Sequence, residues 1–100
     1  MSFLTQQPEK MVFFQDGGHG WLRVARSELV QNGLEDKISS YSYQSRDGQF
    51  VYLEEDSDLA TFAGVAMSEG PPGWLDAIPY VYDENEVLRN SPSLERYRPT

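Results

Sequence analysis

The chain has 100 residues, no cysteine and a formal net charge of -8, with 39% hydrophobic and 13% aromatic side chains. That length permits one domain with one modest core, burying roughly 60–65% of the unfolded surface. The missing cysteines exclude disulfides, thiolate nucleophiles and Cys-type zinc sites, and the acidity argues against direct nucleic-acid binding.

The charge is segregated. Residues 1–46 carry five basic and five acidic side chains, whereas no Lys or Arg stands between Arg46 and Arg89. That second stretch holds ten carboxylates: Asp47, Glu54, Glu55, Asp56, Asp58, Glu69, Asp76, Asp83, Glu84 and Glu86. One-signed charge repels phosphates and attracts basic surfaces. No apolar run reaches the ~20 residues of a membrane span. The first ten residues lack the pattern of a signal peptide, so a cytoplasmic protein is expected.

Residues 1–10 are polar and read as a flexible arm. Met11-Val12-Phe13-Phe14 reads as a strand and Trp21-Leu22-Arg23-Val24 as its return, joined by a Gly-rich loop of five or six residues. Ser27 reads as the N-cap of a two-turn helix, with Glu28 in its first turn. Leu29, Val30 and Leu34 form its apolar stripe, and Gly33 ends it in the left-handed region.

Ile38 to Gln44 alternates apolar with polar as a half-buried strand does. Asp47-Gly48 then predicts a tight turn into a return strand, Phe50-Val51-Tyr52-Leu53. Leu59, Phe62, Ala63 and Ala66 share one face of a helix over about 57–68, capped by Asp56 or Ser57. Gly70-Pro71-Pro72-Gly73 breaks it. Trp74 suits core packing. Tyr80-Val81-Tyr82 reads as a short strand, with Pro79 consistent with a sheet edge. Residues 91–100 read as a tail. The expected fold is α+β: a small, mainly antiparallel sheet from two hairpins, two short helices on one face, and a single domain over 11–90.

No catalytic, cofactor or metal residue is assigned. Asp16-Gly17-Gly18-His19-Gly20 holds the lone histidine, but a hairpin turn accounts for its glycines. It matches neither a P-loop nor a dinucleotide fingerprint. Glu54 to Asp58 lacks the order of a calcium loop, and helix capping accounts for most of it. With one His and no Cys, nucleophilic triads are out of reach. The arginines are too few and scattered to follow a phosphate backbone. The residues that remain suit partner binding. Tyr80 and Tyr82 are aromatic anchors, and Glu54, Glu55, Asp58, Asp83, Glu84 and Glu86 are carboxylates able to oppose Lys or Arg.

Three stretches carry a resemblance: Phe13-Phe14-x-Asp16-x-Gly18-His19-Gly20-Trp21-Leu22, Asp36-Lys37-Ile38-Ser39-x-Tyr41-Ser42-Tyr43, and Tyr52-Leu53-Glu54-Glu55-Asp56-x-Asp58. Across residues 13–58 the chain resembles a set of small uncharacterised proteins of phages, plasmids and bacterial mobile elements. Proline commonly precedes the Gly-His-Gly in that set, where Gly17 stands here. The resemblance implies a mobile-element context and transfers no site residue. In size, charge and lack of catalytic motifs the chain is similar by type to anti-CRISPR proteins and other DNA mimics. The leading expectation is a non-enzymatic inhibitor of host defence. It would bind a basic nucleic-acid-handling host protein, such as a CRISPR effector subunit, and block its DNA or RNA contacts. The alternatives are a small accessory interaction domain, and a ligand- or metal-binding enzyme built on the Asp16–Gly20 loop.

Overall fold

A computed structural model describes residues 11–69, 78–82 and 91–99, the side chains of 66–69 excepted. The expected arm and the positions Trp74, Asp83, Glu84 and Glu86 lie outside the described residues. The described elements are β1 (Val12–Gln15), β2 (Gly20–Ala25), α1 (Arg26–Gln31), a 3-10 turn (Glu35–Lys37), β3 (Tyr43–Ser45), β4 (Phe50–Glu54), α2 (Asp58–Glu69), β5 (Tyr80–Tyr82) and β6 (Leu94–Arg96). The strands form one six-stranded sheet ordered β5-β1-β2-β4-β3-β6. It is antiparallel except where β5 runs parallel to β1.

Alternation along the strands builds two unlike faces. Leu22 pairs with Leu53 and Val24 with Val51, and all four are buried. Leu29 of α1 and Phe62 of α2 join the same cluster, so both helices cover this face. The opposite face carries the alternate residues. One cross-strand row there runs Val12, Arg23, Tyr52, Tyr43, Arg96. Arg23 lies over the rings of Phe14 and Phe50, at 5.8 and 5.5 Å, and Arg96 lies 4.8 Å from the Tyr43 ring.

Both hairpins form where expected, the first with a loop of four residues, 16–19. Gly33 and Gly48 take the left-handed conformation that ends α1 and turns β3 into β4. Other expectations need correction. Ser27 does not cap α1: the cap position is Ala25, without a side-chain cap bond, and Ser27 is exposed on the helix. Strand β2 runs straight into α1, and the Arg26 N–H donates to the Gln49 carbonyl instead, at 2.8 Å. Val30 is 55% exposed and leaves the apolar stripe to Leu29 and Leu34.

The strand expected over 38–44 shrinks to Tyr43–Ser45. Ser39 and Ser42 turn their hydroxyls to Asp58, which holds 39–42 as a turn. The supposed tail contributes β6, paired with β3, and Tyr97 reaches the core. Its phenol donates to the Glu35 carbonyl at 2.6 Å. Arg26 fastens this end of the sheet. Its guanidinium pairs with Glu35 at 2.9 Å, donates to Gly48 O, Arg98 O and the Gln44 amide oxygen, and lies 5.1 Å from the Tyr97 ring.

Candidate functional site: the acidic end of the sheet

At one end of the sheet, Tyr82 of β5 stands beside Gln15, Gln15 beside Gly20, and the Glu55 N–H donates to the Gly20 carbonyl at 3.0 Å. With adjacent strands about 4.8 Å apart, the step from β5 to β4 is about 14 Å. The fold thus brings the adjacent Glu54 and Glu55 and the sequence-distant Tyr82 to one rim. Glu55 is exposed, Glu54 half-buried, and Tyr82 56% exposed. Tyr80 is 61% exposed on the outer strand. Its ring stacks on Phe13 at 6.1 Å and borders an apolar pocket of about 290 Å³ with Leu22, Leu59 and Ile78.

Asp58 does not belong to this surface. It is 3% exposed, and its carboxylate accepts from the Ser39 N–H at 3.0 Å, the Ser39 hydroxyl at 2.7 Å and the Ser42 hydroxyl. Ser42 Oγ in turn accepts the Glu54 N–H at 2.9 Å. A charge withdrawn from water and held by three donors positions the start of α2 and is unavailable to a partner. The expected cap also differs. The Ser57 hydroxyl is buried without a hydrogen-bond partner among the described residues, and the Asp56 N–H turns back to the Glu54 carboxylate.

The Asp16–Gly20 loop is a braced turn. Asp16 is buried, and its carboxylate accepts the backbone N–H groups of Gly18 and His19 at 2.9 and 2.8 Å. It steadies the loop through the backbone of residues 18 and 19. The Gln15 amide donates to the carbonyls of Asp16 and His19. Gly20 owes its identity to packing: it is not among the positive-φ glycines, and an added Cβ would sit 2.5 Å from Phe13 Cζ.

The exposed His19 ring leans on Trp21, centroids 5.7 Å apart, and Trp21 meets Tyr43 at 6.0 Å. His19, Trp21, Tyr41, Tyr43, Glu54 and Arg96 line a pocket of about 210 Å³. His19 also comes within reach of Glu54 and Asp56. Sequence reasoning treated the histidine loop and the acidic run separately and missed this meeting. The signal available was the strand register: the β2–β4 pairing that joins the two hairpins sets Trp21 opposite Glu54 and so carries the loop before Trp21 to the turn after Glu54. No family model, curated protein or solved structure matches the chain.

Proposed function

We propose that this protein is a non-enzymatic binding module whose acidic sheet end docks on a basic, nucleic-acid-handling protein and occupies its DNA or RNA contacts. The observation that carries the reading is the convergence of Glu54, Glu55 and the exposed Tyr82 on one rim. Carboxylates steer encounter with Lys and Arg, and a solvent-exposed aromatic supplies contact area that salt does not screen. Asp83, Glu84 and Glu86, next along the chain after β5, extend the same chemistry. The resemblance to mobile-element proteins makes a host-defence complex, such as a CRISPR effector, the partner class.

The test is capture of host proteins from a bacterial lysate, followed by competition. The captured complex should release the protein when its own DNA or RNA guide or target is added. The isolated protein should not shift duplex DNA or RNA at physiological salt, because about eight negative charges oppose approach. A partner whose nucleic acid binds undisturbed beside this protein would overturn the reading. Tyr80 and Tyr82 would then anchor an ordinary accessory contact.

A further inference from the structure

We propose that His19, Glu54 and Asp56 form a binding site for one divalent ion of the zinc class, where the β1–β2 loop meets the β4–α2 turn. One donor atom from each side chain lies within 4.8 Å of the other two. His19 and Asp56 are exposed and Glu54 is half-buried. Glu54 and Asp56 come from the end of β4 and the turn after it, His19 from the loop of the first hairpin, so the meeting of the imidazole with the acidic run is a product of the fold.

Several contacts hold the two segments in place. The Glu55 N–H to Gly20 carbonyl bond, 3.0 Å, ties the residue after Glu54 to the residue after His19. The Asp16 carboxylate holds the backbone of the histidine loop. The Asp56 N–H donates to the Glu54 carboxylate and keeps that side chain beside Asp56. Trp21, only 3% exposed, backs the imidazole. Two carboxylates held this close repel each other, and a cation between them relieves the repulsion.

The donor set selects the ion. One imidazole nitrogen with two carboxylate oxygens suits Zn²⁺ and its first-row neighbours, whereas Mg²⁺ and Ca²⁺ favour oxygen shells. Tetrahedral ligands about 2.0–2.1 Å from zinc stand roughly 3.3 Å apart, so the donors need draw together by at most about 1.5 Å. Rotation of the exposed His19 and Asp56 side chains supplies that movement. A fourth position stays open to water or to a group on a bound molecule. Arg96 shares the adjoining pocket, but its Nη1 donates to the Ser40 and Tyr41 carbonyls at 3.3 and 3.4 Å.

The experiment is calorimetric titration of Zn²⁺ into the metal-free full chain, with tryptophan fluorescence read in parallel. The expected result is one saturable site, a fluorescence change because His19 rests on Trp21, and little competition from millimolar Mg²⁺. His19→Ala and Asp56→Asn should each weaken binding about tenfold or more while leaving the circular dichroism unchanged. No saturable binding below about 100 μM Zn²⁺, or unaltered affinity in His19→Ala, would mean that scattered carboxylates hold the ion and the proposal fails. No partner is present in this assay, so its outcome is independent of the docking reading. Glu55→Lys, outside the three ligands, should impair docking and leave zinc binding in place.

Discussion

Asp56 and Asp58 stand two residues apart in one acidic run and meet opposite surroundings. Asp58 is buried under two serines and a backbone N–H, whereas Asp56 is exposed beside His19 and Glu54. The same carboxylate thus serves folding at one position and remains open to ligands at the other. What separates them is the supply of donors. Ser39 and Ser42 reach Asp58 from the turn before β3, while the side chains gathered around Asp56 are another carboxylate and an imidazole. Charge counted along the chain therefore overstates the surface available to a partner.

Substitutions sharpen this contrast, and the largest effect should come from the saturated side of the molecule. Arg26→Ala should cost about 3–5 kcal/mol, because Glu35 and Gln44 lose a buried partner and three segments lose their fastening. Asp58→Ala should cost about 2–4 kcal/mol, since three donors are left without the charged acceptor they serve. Equilibrium urea unfolding measures both. Little change in either midpoint would show that these contacts are dispensable.

Gly20→Val should cost about 1–3 kcal/mol by forcing the Phe13 ring aside. Phe13→Leu in the same chain should recover part of that loss, whereas a glycine kept for backbone freedom would gain nothing from it. On the open side, Asp56→Ala and His19→Ala should stay within about 0.5 kcal/mol of the parent.

The smallest effects are in pH dependence. Burial, ahead of the nearby charges, raises the Tyr97 phenol above its ordinary 10.0. The neutral phenol is the form favoured by folding, so its contribution is present below about pH 10 and lost as pH rises through the raised value. Tyr97→Phe should remove that alkaline step in a thermal-melt series. Asp47 is held below the usual carboxylate value by the Ser45 hydroxyl and then the Gln49 N–H. Its small contribution is present above about pH 4 and fades as pH falls through the lowered value.

Much of the fold was legible because the signals were local. Asp47-Gly48 marked its turn, Gly33 its helix end, and Leu59 with Phe62 the buried face of α2. The edge position of Tyr80–Tyr82 also followed from Pro79. What stayed hidden depends on distant partners. Ser39 and Ser42 read as strand residues until Asp58 claims their hydroxyls, and β6 has no strong pattern of its own before it pairs with β3. The candidate site was partly legible for the same reason. Glu54 and Glu55 stand out by type, but only strand register places them on the same sheet end as Tyr82, with two strands between, and close to His19. Arg23 and Arg96, scattered in sequence, fall on one aromatic row for that reason too.

The measurement that bears most directly on the central claim is the affinity of the captured partner for the Glu54→Lys/Glu55→Lys variant across a salt series. The acidic rim predicts that reversal slows association and weakens binding most at low salt, where exposed charge is screened least. Glu55→Lys alone should show part of the effect with the zinc ligands intact. If the double reversal binds at the parental rate in low salt while Tyr82→Ala fails to bind, the acidic rim is not the docking surface and the protein acts by steric occlusion through β5.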